Sequence, residues 1–280
     1  MTLACKQPAI TLTIAGSDSG GGAGIQADIK AMSATGSFAC SVITALTAQN
    51  TQGVSAIHPV PCDFVEAQLH SVFSDMKIDA VKIGMLSDAG TIKMIARVLR
   101  QYKPKQLVLD PVMVATSGDV LLQAQAIDSL KSELIPLADL ITPNLYEAQV
   151  LLGRQVTDIA SDQEALESTA KDLLGLGAKG VLLKGGHMQT PDSTDIWVTA
   201  NHVQAFSSSR IASQNTHGTG CTLSSAISSY LAQGNTMEAS ISAAKHYITQ
   251  ALNGAKDYQL GQGSGPVEHF YQLREQEVVA

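Results

Sequence analysis

A regular alternation of short apolar segments with longer amphipathic segments constrains the fold of this chain more than any other feature. The first apolar segment, Ile10 to Ala15, is rich in β-branched residues and stops at Gly16, and a helical pattern follows from about Ala23 to Ala34. Parallel strands need crossover connections, so the repetition of this order predicts an α/β fold: a mainly parallel sheet with helices on both faces. The further predicted strands are 42–47, 80–84, 107–110, 140–142 and 180–186, with an antiparallel edge pair at 195–199 and 203–210. The further predicted helices are 64–73, 91–102, 124–134, 144–152, 220–231 and 237–252, and one that opens on a capping box at Ser161 to Glu164 and closes at Gly175 or Gly177.

The length of the chain, 280 residues, is close to that of two average domains of about 150 residues each, although α/β domains of more than about 200 residues are common. The chain contains no internal repeat, low-complexity segment or proline-rich linker. We therefore expect a single domain over 1–280, with its core at about 10–255 and a surface extension after about Gly261.

The charge and cysteine content exclude several classes of protein. The 18 Lys and Arg residues against 25 Asp and Glu give a net charge of −7, and no basic cluster is present, which argues against nucleic acid or an anionic membrane as the main partner. The four cysteines lie far apart without a C-x-x-C pair, as in proteins with reduced thiols and no zinc site. No apolar run approaches the ~18 residues that a membrane helix needs, so we expect a cytoplasmic protein.

A glycine-rich loop, Gly16 to Gly24, links the first strand to the first helix, where open α/β sheets bind ligands. It does not fit a dinucleotide-binding fold, because the second strand ends in Thr47 to Asn50 without the ribose-binding carboxylate. It does not fit a P-loop either, because no Gly-Lys-Ser/Thr follows the glycines. A resemblance of Ser17 to Gly21 to the nucleophile segment of trypsin-like proteases is a coincidence in an α/β chain. The loop is thus a ligand-binding segment or a structural turn. Asp18 and Asp28 are likewise either part of a site or only helix caps or solvent-facing residues.

A second glycine motif, Asn215 to Cys221, leads directly into a predicted helix. Backbone N–H groups from Gly218 to Cys221 would point outward at the positive end of the helix dipole and form a site for an anion. This position favours a lowered pKa for the Cys221 thiol, and the alternative is that Cys221 is a small core residue. His217 has no partner at metal-ligand or triad spacing, so we interpret it as a hydrogen-bonded loop residue.

Charged residues at the carboxyl ends of the predicted strands form a third group: Lys82, Asp110, Asn144, Glu147 and Lys184. Charged groups in apolar strands are costly unless they are paired or functional, so we expect them at one edge of the sheet. Asn144 and Glu147 are three residues apart at a helix start. They either hold Mg²⁺ through water or cap the helix, while Lys184 is suited to a nucleotide phosphate.

Seven motifs, in this order, resemble those of the hydroxymethylpyrimidine/phosphomethylpyrimidine kinases of thiamine biosynthesis, which belong to the ribokinase-like superfamily. The resemblance implies a ribokinase-like α/β fold with little or no separate lid domain. It spans about residues 10–255, and the motifs are 15–28, 44–51, 82–86, 109–113, 141–144, 184–187 and 215–221.

The resemblance implies that ATP phosphorylates the hydroxymethyl group of 4-amino-5-hydroxymethyl-2-methylpyrimidine and then its monophosphate, at one site. Gly16 and Asp28 would border the pyrimidine, Gln49 would read its polar edge, and Met85 and Val112 would pack on its ring. An amide both donates and accepts, as a 4-aminopyrimidine edge requires. Some family members carry Glu at the position of Gln49.

The same resemblance assigns the phosphate end of the site. Asp110, Asn144, Lys184, Thr216 and Gly218 would bind ATP. Asp110, Asn144 and Glu147 would organise Mg²⁺, and the catalytic group would be Lys184, Gly218, Gly220 and Cys221. The wider superfamily has an aspartate general base where this chain has Cys221. Either the Cys221 thiolate accepts the hydroxyl proton or a dissociative transition state needs no strong base, and the base role predicts that Cys221→Ala lowers turnover more than ten-fold.

Three further expectations complete this interpretation. Family members are commonly homodimers. The segment Met113 to Asp119 is predicted to be a flap that shields the transfer from water. The competing functions are a pyridoxal, pyridoxine or pyridoxamine kinase on the same fold, and a non-catalytic pyrimidine or nucleotide sensor, which the intact phosphate-site residues disfavour.

Overall fold

The computed structural model describes residues 7–114, 121–155, 163–186 and 192–277. Nine strands form one sheet in the order β3-β2-β1-β4-β5-β6-β7-β8-β9. Strands β2, β1, β4, β5, β6 and β7 are parallel to one another, whereas β3 pairs antiparallel with β2 at one edge, and β8 and β9 continue the sheet antiparallel from β7 at the other. The strands are β1 (Ile10–Asp18), β2 (Phe38–Asn50), β3 (Gly53–Pro59), β4 (Ala80–Ile83), β5 (Leu107–Leu109), β6 (Leu140–Ile141), β7 (Gly180–Leu183), β8 (Asp192–Thr199) and β9 (His202–Ser209).

Helices cover both faces of the sheet, as the alternating pattern predicts. One hydrophobic core lies between the sheet and α2 to α6, and a second lies between the sheet and α1, α7 and α8. Among the described residues no helix is long and apolar enough to cross a membrane. The helices are α1 (Gly24–Ala34), α2 (Cys62–Asp75), α3 (Ala89–Tyr102), α4 (Ala124–Ser129), α5 (Leu145–Leu152), α6 (Gln163–Leu174), α7 (Thr219–Ala232), α8 (Met237–Ala255) and α9 (Tyr271–Glu277).

Several boundaries differ from the predictions for identifiable reasons. Strand β1 continues past Gly16 to Asp18, because Ser17 and Asp18 pair with β2 after a bulge. The hairpin strand β3 was absent from the prediction, since its residues are mostly exposed and lack an apolar alternation. The predicted helix 124–134 changes to a π-helical turn at Leu130. Ser161 of the predicted capping box and most of the predicted flap, residues 115–119, lie outside the described residues.

The prediction of a surface extension after Gly261 is wrong. The chain folds back over α7 and α8, and it buries Val267, His269 and Tyr271 to between 4 and 8% exposure. The Tyr247 hydroxyl donates to the His269 carbonyl at 2.9 Å, and His269 Nε2 lies 2.9 Å from the Thr222 hydroxyl. This segment is therefore part of the second core, and apolar burial is what holds it there.

Burial makes His269 a source of acid sensitivity. Burial, with a further contribution from the charge of Lys30, lowers the pKa of His269 from 6.5 to about 4. The folded protein thus binds fewer protons at His269 than the unfolded chain. The contribution of His269 to the free energy of unfolding is therefore fully present above pH 6.5 and is lost as the pH falls toward 4. We expect this group to account for about 3 kcal/mol of the acid-induced loss.

Urea unfolding at pH 7 and pH 4.5 checks this prediction. His269→Gln should reduce the difference between the two unfolding free energies, whereas His246→Gln, at an exposed position on α8, should leave it unchanged. An unaltered pH dependence in His269→Gln would contradict the assignment.

Candidate active site

Lys184, Asp110 and Glu147 converge at the carboxyl ends of β5, β6 and β7. Lys184 follows β7, and its Nζ lies 2.8 Å from Asp110 Oδ1 and 4.0 Å from Glu147 Oε2. The Asp110 carboxylate, 1% exposed, also accepts from the Thr142 hydroxyl at 3.0 Å. Two carboxylates share one lysine, so ionisation of both would give the three side chains a net negative charge that a bound cation would offset.

The charges of this cluster shift the pKa values of its members. Burial lowers the pKa of Lys184, but Asp110 and Glu147 outweigh this and hold it above its usual value. Burial raises the pKa of Asp110, yet Lys184 and Lys82 bring it below normal. Burial raises the pKa of Glu147 to about 7, with Lys184 opposing this shift and Asp110 adding to it. Lys184 and Asp110 are therefore charged at neutral pH, and Glu147 is the carboxylate whose ionisation a cation would promote.

Asn144 and Glu147 form a capping box at the start of α5. The Asn144 side chain accepts from the Glu147 N–H at 2.9 Å, and Glu147 Oε2 accepts from the Asn144 N–H at 2.7 Å. Of the two alternatives from the sequence, the structure shows the cap, and the Asn144 oxygen is already used within it. No group of three or more His, Cys, Asp or Glu side chains able to hold a metal occurs among the residues described. The carboxylates of Asp110 and Glu147 would suit Mg²⁺ held largely through water and nucleotide phosphates, the ligands that this cation prefers.

The amino terminus of α7 faces the cluster. Gly218 is the residue before the helix and has a left-handed φ of 77°, and as glycine it offers no side-chain cap to the first N–H groups. A Cβ on Gly220 would lie 3.2 Å from Lys184 Nζ and 3.6 Å from Asp110 Oδ2. The first turn of α7 is therefore within reach of an anion that Lys184 holds. Lys184, Asp110, Glu147 and the start of α7 thus come together, and Thr216 is exposed on the loop before α7, where its carbonyl accepts from the Thr219 N–H at 3.3 Å.

The sequence reasoning missed Ser224, which ties α7 to this cluster. Its hydroxyl lies 3.3 Å from Asp110 Oδ2, although it also donates to the Gly220 carbonyl at 3.0 Å. Its position in the sequence could have indicated this, because Ser224 is one helical turn after Cys221 and therefore lies on the same face of α7.

The expected lowered pKa of Cys221 is wrong for this structure. Burial raises the pKa of the thiol to about 11, and the positive charge of Lys82 and the backbone N–H of Gly24 oppose this only in part. The nearby carboxylates of Asp28 and Asp110 add to the rise. The helix dipole is thus outweighed by loss of solvation and by negative neighbours, and Cys221 is a neutral thiol at pH 7.

The assignment of Asp28 to the border of the substrate site also needs correction. Asp28 and Lys82 are both 0% exposed, and Lys82 Nζ lies 2.8 Å from each Asp28 carboxylate oxygen. The hydroxyls of Thr13 and Ser225 donate to the same carboxylate at 2.6 and 2.7 Å. Asp28 therefore lies beneath the site in a saturated ion pair, which explains why β4 tolerates a charged residue.

The remaining residues predicted to bind the pyrimidine lie at or just after the ends of β1, β2, β4 and β5. Gly16 is packed so closely that a Cβ there would be 2.9 Å from Met85 Sδ. Met85 is 7% exposed, and Val112 is half-buried. Gln49 is half-buried at the end of β2, where a cavity of about 360 Å³ opens. The cavity is lined by Gln49, Asn50, Thr51, Gln52, Gly53, His217, Gly263 and Ser264.

His217 is hydrogen-bonded, as expected for a loop histidine. Its Nε2 lies 2.9 Å from Asp18 Oδ2, and its backbone N–H donates to the Gly265 carbonyl at 3.0 Å. Asp18 caps the first glycine loop, as one reading of the sequence proposed, but it also reaches the second loop through His217.

A family model for phosphomethylpyrimidine kinase matches residues 18–268. The chain belongs to this family. Among its phosphomethylpyrimidine kinase relatives, the Rhizobium meliloti hydroxymethylpyrimidine/phosphomethylpyrimidine kinase is 49% identical over 94% of this chain and 97% of its own length. The Escherichia coli enzyme of the same name is 46% identical over 93% and 97%. A bifunctional thiamine biosynthesis protein from Geobacter sulfurreducens is 53% identical over 92% of this chain, which spans 52% of that relative.

Solved structures agree with this family and with the ribokinase-like fold. The Clostridium difficile phosphomethylpyrimidine kinase has a TM-score of 0.76 and 44% identity, over 86% of this chain and 98% of its own. The Bacillus subtilis pyridoxal kinase, solved with ADP, has a TM-score of 0.86 but 33% identity, over 95% and 99%. The higher fold similarity of the pyridoxal kinase concerns the backbone, whereas the residues are more similar to the pyrimidine kinase. The chain is therefore a kinase of the phosphomethylpyrimidine family, with pyridoxal kinase as a relative in fold.

Proposed function

We propose that this kinase transfers a phosphoryl group from ATP to the hydroxymethyl group of 4-amino-5-hydroxymethyl-2-methylpyrimidine, and then a second one to the resulting monophosphate. The observation that carries this proposal is the meeting of Lys184, Asp110 and the first turn of α7 within 4 Å of one another. Family membership supplies the substrate class. One phosphate site next to one pyrimidine site serves both steps, because the acceptor oxygen enters from the same side in each.

The residues of this chain act mainly by positioning and by neutralising charge, which phosphoryl transfer requires more than covalent help. The N–H groups after Gly218 and the ammonium of Lys184 bind the transferring phosphoryl group. Asp110 holds Lys184 in place and, with Glu147, would hold Mg²⁺. That cation would supply charge neutralisation on the nucleotide phosphates.

The substrate assignment is tested by incubating the protein with the pyrimidine alcohol, ATP and Mg²⁺ and identifying the products by phosphorus NMR. We expect the monophosphate first and the diphosphate later. Absence of both products would contradict the proposal.

Pyridoxal is the second candidate substrate, since a pyridoxal kinase has a TM-score of 0.86 with this chain. The ratio of kcat/KM for the two alcohols measures the preference directly. We expect it to favour the pyrimidine, and formation of a diphosphate is specific to the pyrimidine pathway. A ratio that favours pyridoxal would assign the chain to that activity instead.

We further propose that Cys221 contacts the substrate hydroxyl as a neutral thiol and does not act as the general base. The pKa of about 11 leaves the thiol protonated at neutral pH, which supports the alternative in which no strong base is needed. Cys221→Ala should lower kcat more than ten-fold with ATP affinity kept, and Cys221→Ser should restore most of the activity, because a hydroxyl keeps the hydrogen bond but is a poorer base than a thiolate.

Steady-state kinetics and calorimetric ATP titrations of the two variants check this. Cys62→Ala, at a half-buried thiol on α2, is the matched control and should behave like the wild type. Full turnover in Cys221→Ala would remove any role for the thiol, and failure of serine to restore activity would favour the thiolate.

We also propose a homodimer in the cytoplasm. The edge strand β3 and its neighbour β2 leave apolar side chains uncovered, among them Ile57 at 37% and Leu46 at 47% exposure. An exposed edge with an apolar surface is suited to a protein partner. Cys40, Cys62 and Cys221 are free thiols, as in a reducing compartment. Sedimentation velocity should give a dimer, and Leu46→Asp should shift the equilibrium toward monomer.

A further inference from the structure

The Asp18 carboxylate organises the first glycine-rich loop, residues 16–24. It is 2% exposed. Its Oδ1 accepts from the Gly20 N–H at 2.7 Å, and its Oδ2 accepts from the N–H groups of Gly22 and Ala23 at 3.0 and 2.8 Å. One side chain therefore fixes three amides of the loop that precedes α1.

The second glycine-rich loop, residues 215–221, is fastened to the same carboxylate. His217 Nε2 lies 2.9 Å from Asp18 Oδ2. Because a carboxylate only accepts, this nitrogen carries the proton and donates it. The two loops also meet at their backbones, where a Cβ on Gly218 would lie 1.8 Å from the Gly22 carbonyl oxygen. The Asp18–His217 hydrogen bond thus lies next to a backbone contact that glycine at position 218 permits. His217 is one residue before the N–H groups that face Lys184.

The same ring nitrogen of His217 also faces the residue assigned to the pyrimidine. Gln49 Nε2 lies 3.3 Å from His217 Nε2. The imidazole proton is directed to the closer Asp18 oxygen, so this nitrogen does not accept from the Gln49 amide nitrogen, which stays available to a heteroaromatic edge. The Gln49 amide oxygen accepts from the Thr47 hydroxyl at 3.0 Å. Gln49 and Asp18 consequently meet at His217 Nε2, and His217 connects the cavity with the start of α7.

We propose that Asp18 and His217 are a pair of positioning residues that hold the pyrimidine end and the phosphate end of the site at the distance needed for transfer. The inference rests on the proposed kinase function. Neither residue is placed against the reacting atoms. The pair acts by keeping the Gly22–Gly218 contact closed, so that a hydroxyl bound beside Gln49 meets the phosphoryl group bound by α7. A displacement of about 1 Å between reacting groups is enough to cost on the order of 100-fold in rate.

This role predicts a particular kinetic pattern for His217→Ala. Each half of the site stays intact while their alignment is lost, so kcat should fall by about 10- to 100-fold while KM for ATP and for the pyrimidine changes little. The protein should still fold, because Asp18 keeps its three backbone N–H donors after His217 is removed. His217→Gln, whose amide is able to donate to Asp18, should recover a large part of kcat.

A double-mutant cycle and hydrogen exchange complete the test. If one bond carries both effects, Asp18→Asn combined with His217→Ala should lose no more kcat than the worse single variant. His217→Ala should also speed amide exchange in peptides covering 216–222, a readout that needs no substrate. If the wild-type protein showed no turnover but His217→Ala still sped amide exchange, the kinase function would be overturned, whereas the contact between the two loops through Asp18 and His217 would stand. Three results would overturn the positioning role of Asp18 and His217: unchanged amide exchange, unchanged kcat in a folded His217→Ala protein, or additive losses of kcat in the cycle.

Discussion

Replacing Lys184 with Met is expected to lower kcat by about 1,000-fold, the largest effect that we predict for a single side chain. Lys184 Nζ lies beside the start of α7, at 3.2 Å from where a Cβ on Gly220 would lie. Without it, the charge that develops on the transferring phosphoryl group is opposed only by backbone dipoles and a metal. The loss should appear in kcat more than in KM, since the interaction strengthens in the transition state.

The same substitution leaves Asp110 and Glu147 buried without their cation, which costs about 3–5 kcal/mol of stability when one partner of a buried pair is removed. Stability and catalysis must therefore be measured separately. Lys184→Met combined with Asp110→Asn should recover part of the thermal stability and none of kcat.

Lys245→Met is the matched control for Lys184→Met. Lys245 is 8% exposed and lies 2.7 Å from Asp195 Oδ2. Asp195 Oδ1 accepts from the Gly185 N–H at 3.0 Å, so this second buried pair reaches the backbone next to Lys184 without placing a charge on the phosphate cluster. Lys245→Met should lower the unfolding temperature by a similar amount with little change in kcat. Near-normal turnover in a folded Lys184→Met protein would contradict the assignment of Lys184 to the phosphate.

The central layers of the fold were predictable because their signals are local. Strands such as 107–110 and helices such as 91–102 each carry one periodic apolar pattern, and a parallel sheet needs nothing more than the order of such patterns. The meeting of the residues that we assign to the phosphate followed from the same logic, since the carboxyl ends of parallel strands meet at one edge. Asp110, Glu147 and Lys184 met there although 74 residues separate the first from the last.

The features that the sequence did not predict depend on partners distant in the chain. The motif around Asp28 predicts a residue at the substrate, but Lys82, 54 residues away, forms a buried ion pair with it. The pKa of Cys221 depends on burial and on Lys82, Asp28 and Asp110, none of which its own motif contains. The segment after Gly261 has too few residues for a periodic pattern, and it is held by contacts with α7 and α8. In each case the deciding energy is desolvation against a distant partner, which a local pattern does not encode.

Gly218→Ala is expected to lower kcat by about 100- to 1,000-fold, because it moves the N–H groups at the start of α7. The added Cβ would lie 1.8 Å from the Gly22 carbonyl oxygen and 3.3 Å from Ala23 Cα. Neither contact is with a flexible side chain, so the two loops must separate. That separation displaces the amides from Lys184 and also opens the Asp18–His217 contact.

The strain of the left-handed backbone must be distinguished from this displacement, and Gly153 provides the comparison. Gly153 ends α5 with a φ of 65°, close to the 77° of Gly218, but a Cβ there would have no described residue within 4 Å. Gly153→Ala should therefore pay the conformational cost alone, about 1–2 kcal/mol, and keep its kcat. Steady-state kinetics and thermal unfolding of both variants, side by side, separate the two effects. If the two variants lost kcat equally, or if Gly218→Ala kept it, the amides at the start of α7 would not be the phosphoryl site.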